Sequence, residues 1–243
     1  MLKLGRLIGL FLLVIIPVIV LQAAPYRPWS ENVFVYVKQH FGDQAAKRMR
    51  YLHGIILENQ DKQPMEKLQI VNDTLNRLPW IADEIHWKNA DYWATPIETI
   101  ATFGGDCEDI AIVKWVMLRH LGISANKLRL AYVKIKQSGE SHMVLVYIED
   151  PTQPPGKSTV YVLDNYMPEI KKGSERTDLL AVYLTDAEGT VTLIADNGTD
   201  RTVKGVYEKR KMKKLEDLKQ KIESNRKKSA EINDGFPLLP EDV

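Results

Sequence analysis

Cys107 is the only cysteine in the 243 residues, so no intramolecular disulfide can staple this chain whatever its compartment. A chain of this length makes one sizeable domain or two small ones, and a single apolar core is the simpler solution. Its 44% hydrophobic and 27% charged residues are those of an ordinary globular protein and argue against a wholly disordered, collagenous or multi-spanning chain. With 33 basic against 32 acidic side chains the net charge is +1, which provides no overall basic field for nucleic acid.

The amino terminus sets the compartment. Lys3 and Arg6 precede an uncharged apolar run from Leu7 to Leu21, the pattern of an export signal. Residues 1–23 are read as a signal peptide with cleavage after Ala23 or Ala24. Leu21 makes the cleavage site a weak one, and an uncleaved anchor is the alternative. An unpaired thiol in an exported chain calls for a reason, because oxidising compartments tend to pair thiols or select them away. Such a cysteine is either a core residue or a nucleophile.

Residues 24–206 read as one domain of α+β class, helices first and then a mostly antiparallel sheet. Between Arg27 and Trp80 apolar residues recur three and four apart, as in Ala46, Met49, Leu52, Ile55 and Ile56, which predicts two or three amphipathic helices. Pro79 and Pro96 break that period, and the aromatic segment between them, with Trp80, Trp87, Tyr92 and Trp93, reads as an irregular loop. Helical spacing returns in Ile110, Val113, Met117 and Leu121, with Gly122 as the stop. Extended runs follow at Leu128–Ile135, Met143–Ile148 and Val160–Leu163, and Leu180–Leu184 with Thr190–Ile194 reads as a hairpin. Residues 207–243 differ in composition: Tyr207 to Lys228 holds ten basic residues against four acids, with Met212, Leu215, Leu218 and Ile222 at helical spacing. This predicts a basic, weakly amphipathic helix, either packed by one stripe or used at a membrane or partner surface. Pro237 to Val243 reads as a flexible end.

Chemistry concentrates at Gly104-Gly105-Asp106-Cys107-Glu108-Asp109. Two glycines permit a tight turn and a close backbone approach to a substrate, and Cys107 falls in the first turn of the following helix. Unpaired N–H groups there favour a thiolate and supply an oxyanion donor. Three neighbouring carboxylates oppose ionisation of the thiol, a conflict that a bound cation would remove. A nucleophile and a structural cysteine both remain open on these residues alone. Of the five histidines, His142 opens an extended run and can be aimed from rigid backbone. Asp164 ends the next run and can orient its ring.

Taken together, Trp93-Ala94-Thr95-Pro96-Ile97-Glu98, Gly105-Asp106-Cys107-Glu108-Asp109, His142-Met143-Val144-Leu145 and Leu163-Asp164-Asn165 resemble the bacterial transglutaminase-like cysteine proteinases. More closely, they resemble the branch of periplasmic proteases that release biofilm adhesins. The resemblance spans roughly Trp80 to Asn165. It implies a papain-like, transglutaminase-like core in which Cys107 attacks a peptide carbonyl, His142 moves the proton and Asp164 orients His142. It further implies Ca²⁺ held by Asp106 and Glu108, with Asp109 a third ligand. The implied substrate is a large surface adhesin, cut near a pair of small residues in its amino-terminal region. The implied partner is an inner-membrane receptor, responsive to cyclic-di-GMP, that sequesters the protease. An exposed member of Trp80, Trp87 and Trp93 is the expected anchor for it, since Trp commonly dominates protein interfaces. A transglutaminase-type acyl transferase and a non-catalytic periplasmic binding module are the alternatives.

Overall fold

The helical first half forms where apolar spacing and capping coincide. A computed structural model describes residues 28–29, 31–153, 156–196 and 201–228. The expected signal peptide and the tail from Pro237 to Val243 lie outside these residues. Helices α1 (Glu31–Phe41) and α2 (Asp43–Glu58) are separated by Gly42, whose φ of 87° a side chain would resist. Helix α3 (Pro64–Leu75) opens with proline at its first position and a Gln63–Glu66 capping box.

The aromatic segment is more ordered than expected. It contains a one-turn helix α4 (Asp83–His86), and Pro96 begins a helix where the sequence reading saw only a break. Helix α5 (Pro96–Thr102) is started by Thr95, whose Oγ1 accepts from Glu98 N–H while Glu98 Oε2 accepts from Thr95 N–H at 2.7 Å. Proline costs nothing at a position whose N–H has no helical partner. The helix stops at Phe103, which adopts the left-handed conformation with φ 59°.

Helix α6 (Cys107–His120) was expected to bury one stripe, yet every residue from Asp109 to Arg119 is buried. It runs through the middle of the domain. It packs on the sheet strands β1 (Leu128–Ile135) and β2 (Ser141–Ile148) on one side and on α3 and α5 on the other. Trp115, Ile112 and Leu118 meet Leu130, Met143 and Leu145 in this core. The buried Lys114 is satisfied by Asn72 Oδ1 at 2.8 Å.

The sheet is completed by β3 (Val160–Leu163), β4 (Lys171–Lys172), β5 (Leu179–Thr185), β6 (Thr190–Asp196) and β7 (Arg201–Lys211) in the order β4-β3-β2-β1-β5-β6-β7. Every neighbouring pair is antiparallel. The predicted basic helix is shorter than its charge run: Tyr207 to Lys211 belong to β7, Tyr207 opposite Val191, and α7 covers Lys213–Lys228. Leu215, Leu218 and Ile222 of α7 are buried in the main core. Each such side chain contributes about 1.5–3 kcal/mol of apolar burial, enough to dock the helix despite its charge. Among the described residues no helix is long and apolar enough to cross a membrane.

Candidate active site

The turn before α6 is shaped by close approach within the chain itself. Ile81 N–H donates to Gly105 O at 3.0 Å, and Gly105 N–H donates to Pro79 O at 3.3 Å. A Cβ at Gly104 would lie 2.6 Å from Ile81 Cδ1, and one at Gly105 would lie 2.7 Å from Asp109 Cβ and Oδ2. The glycines therefore admit residues 79–81 and Asp109, where the sequence reading allotted the space to a substrate.

Cys107 starts α6, with Asp106 as its N-cap residue. Its Sγ donates to Glu108 Oε2 at 3.1 Å. Burial pushes the thiol well above its ordinary range, followed by the charge of Glu108, the hydrogen bond to Glu108 and the charge of Asp106; an interaction with the backbone N–H of Met143 acts the other way. That last contact sets the thiol against the start of β2, beside His142.

His142 and Asp164 are brought together because β2 and β3 run antiparallel and adjacent, with Leu145 opposite Leu163. His142 Nε2–H donates to Asp164 Oδ1 at 2.8 Å, and both side chains are buried. Asp164 has further partners. Its Oδ1 also accepts from Tyr166 N–H at 2.8 Å, its Oδ2 accepts from Arg176 Nη2 at 2.8 Å, and its carbonyl accepts from Asn76 Nδ2 at 2.9 Å. Burial alone would raise this carboxyl, but His142, Tyr166 N–H and Arg176 together hold it down at about 2. Arg176, itself 1% exposed, is anchored from behind by Asp178, through Nε at 2.9 Å and Nη2 at 2.8 Å. Arg176 lies outside any helix or strand and belongs to no motif, so nothing in the sequence marks it as part of the site.

The acidic residues around Cys107 are joined by two that the sequence did not single out. Ligating atoms of Asp83, Asp106 and Asp109 lie within 4.8 Å of one another, as do those of Asp83, Asp91 and Glu108, and those of Asp106, Cys107 and Glu108. Asp83 and Asp91 come from the aromatic segment, far enough along the chain that spacing gives no hint of the convergence. Asp83 Oδ1, Asp106 Oδ1 and Asp109 Oδ2 are buried without a hydrogen-bond partner, an arrangement that is costly for carboxylates. Burial and then mutual repulsion raise Asp106, and burial raises Asp109 to about 7 despite hydrogen bonds from the backbone. The Asp83, Asp106 and Asp109 carboxylates, each with a buried unpartnered oxygen, form an oxygen donor set that fits a hard divalent cation such as Ca²⁺.

Of the three tryptophans, Trp93 is buried and Trp87 is half-buried, stacked on His86 at 4.5 Å between ring centres. Trp80 is 60% exposed and forms an isolated parallel bridge with Gly105, beside the thiol turn.

An α+β domain with a thiol at a central helix start and a His–Asp pair on the adjoining strands is the architecture of a transglutaminase-like cysteine proteinase. The family model of the bacterial transglutaminase-like cysteine proteinases matches residues 27–181, and this chain belongs to that family. Among solved structures it is similar to LapG of Legionella pneumophila in the calcium-bound form, with a TM-score of 0.63 and 28% identity over 79% of this chain and 98% of that one. The EGTA-treated form of the same protein gives 0.66 and 28% over 81% and 99%. A third LapG structure gives 0.58 and 31% over 69% and 89%. No curated protein matches.

Proposed function

We propose that this chain is a calcium-dependent cysteine endopeptidase in which Cys107 is the nucleophile, His142 the general base and then acid, and Asp164 the residue that orients His142. The observation that carries this reading is the 2.8 Å bond from His142 Nε2 to an ionised Asp164. It fixes the ring so that Nδ1 is left for proton exchange with the thiol and the leaving amine. The Cys107 thiolate attacks the scissile carbonyl, and unpaired N–H groups at the start of α6 receive the developing oxyanion. His142 then protonates the departing amine. Water, deprotonated by His142, resolves the thioester.

Asp106 clusters with Asp109 and Asp83 in one group and with Glu108 and Cys107 in another, which supports Asp106, Glu108 and Asp109 as the ligands and adds Asp83 and Asp91 as candidates. Bound there, Ca²⁺ would supply positive charge that offsets the carboxylates crowding the thiol. That the LapG structures include a calcium-bound and an EGTA-treated form supports this choice of ion. The substrate is a large adhesin cut near its amino terminus, the compartment is the periplasm, and the consequence is release of biofilm attachment. The export signal read at residues 1–23 supports the compartment.

Purified protein incubated with the amino-terminal region of a candidate adhesin is expected to yield two fragments whose masses sum to substrate plus water. An acyl product joined to an amine would instead show a transferase. Chelation should abolish cleavage, and calcium rather than magnesium should restore it, because Mg²⁺ demands a tighter octahedral shell. Full activity with no residual metal by elemental analysis would refute the calcium dependence.

The receptor belongs to the same proposal: an inner-membrane, cyclic-di-GMP-responsive protein that holds the protease through Trp80. Its exposure supports Trp80 over Trp87 and Trp93, and Trp is frequent among the residues that dominate interfaces. Trp80→Glu should abolish capture of the protease by such a receptor's periplasmic domain while Trp87→Phe leaves it intact. Equal capture of both variants would move the contact elsewhere.

A further inference from the structure

The basic helix at the carboxyl end has no part in the chemistry above, yet it grips the segment that shapes the acidic cluster. Residues 92–94 use two backbone N–H groups to take one oxygen from each of two carboxylates. Tyr92 N–H donates to Asp83 Oδ2, and Ala94 N–H donates to Asp109 Oδ1 at 2.8 Å. The other oxygens, Asp83 Oδ1 and Asp109 Oδ2, are thereby left buried and unpartnered, in carboxylates that cluster with that of Asp106. The direction in which these two carboxylates present their free oxygens therefore depends on where the 92–94 segment lies.

Helix α7 holds that segment through two lysines. Lys221 Nζ pairs with Glu98 Oε2 at 2.9 Å, hydrogen-bonds Tyr92 Oη and lies 3.6 Å from the centre of the Tyr92 ring, with Trp93 O at 3.4 Å. Glu98 in turn accepts from Tyr92 Oη at 3.0 Å. About two turns before it, Lys214 Nζ donates to Asp91 O at 2.8 Å and pairs with Asp91 Oδ2 at 2.9 Å. Lys221 and Glu98 are both largely shielded from water, so their interaction is screened less than a surface pair. The buried Leu215, Leu218 and Ile222 fix the helix from which both lysines reach.

We infer that α7 is a brace for the cation site, and that Lys221, assisted by Lys214, is a positioning residue that sets the affinity of the Asp83, Asp106 and Asp109 carboxylates for a divalent cation. The inference rests on the calcium reading given above. It acts as an outer layer of support: residues that orient metal ligands without touching the metal change affinity by about 10- to 100-fold when removed. By linkage, an ion that needs the brace must also strengthen it.

The test is calorimetric titration of CaCl₂ into the chelator-stripped full chain, for the wild type, Lys221→Met and Lys221→Arg. Lys221→Met is expected to bind calcium about 10- to 100-fold more weakly, and Lys221→Arg, which keeps a charge able to pair with Glu98 and stack on Tyr92, is expected to restore most of the affinity. Wild-type affinity in a folded Lys221→Met protein overturns the brace while leaving the calcium reading intact. A wild type that binds no calcium removes the reading on which the brace rests. Hydrogen exchange on the wild type gives a second measurement that needs no variant. Saturating calcium is expected to slow amide exchange across α7, and unchanged exchange there overturns the inference even if Lys221→Met fails to fold.

Discussion

Cys107→Ala is expected to lower peptide cleavage by about 10⁴-fold or more, the scale on which loss of a nucleophile acts when the remaining groups work as a unit. The fold should survive, because the substitution removes one sulfur from a half-buried position at a helix start, where Cys107 packs only on the margin of the apolar core. It also removes the thiol that donates to Glu108. The measurement is cleavage of the adhesin segment alongside thermal denaturation: near-normal cleavage by the folded alanine variant would refute the assigned nucleophile. His142→Ala should be comparably severe, since no other ring is hydrogen-bonded to Asp164 among the described residues.

Arg176→Met is expected to destabilise the protein by about 3–5 kcal/mol, because taking one partner from a buried charge network leaves the other uncompensated. For a chain of this size that is a fall in melting temperature of about 6–20 °C. The uncompensated group is Asp164, which would keep His142 but lose the guanidinium on Oδ2. The pH dependence follows from the same change. The Asp164 carboxyl, ordinarily near 3.8, is held at about 2 in the folded protein. Its contribution to stability is therefore complete above the ordinary value and lost as pH falls toward the lower one. Without Arg176 the carboxyl takes up its proton at higher pH, so acid unfolding and the acid limb of activity should both move upward in pH. Arg176→Lys, which keeps the charge and loses the fork, should fall between the two. A methionine variant with unaltered melting temperature and acid limb would show that the buried ion pair stabilises nothing.

Local periodicity and capping carried the sequence a long way. The runs Leu128–Ile135 and Val160–Leu163 coincide with β1 and β3, and the helix expected from the cysteine box begins at Cys107 itself. His142 and Asp164 were singled out because each stands at the end of an extended run, and adjacent antiparallel strands brought those ends together. Such features depend on a few consecutive residues, which a sequence displays directly. Pro96 was misjudged for a local reason too, since a proline that stops one helix is also the favoured first residue of the next. A run of charge likewise carried the basic helix back to Tyr207, although pairing with β6 makes Tyr207 to Lys211 a strand. Tertiary structure alone decided the rest. Asp83 and Asp91 reach the carboxylates near Cys107, and Arg176 reaches Asp164, because separate elements pack over one core. Lys221 meets Tyr92 and Glu98 from a helix more than a hundred residues away. No period or spacing encodes such meetings: a charged side chain looks the same in sequence whether it faces water or a buried partner, and only packing of the apolar faces determines which.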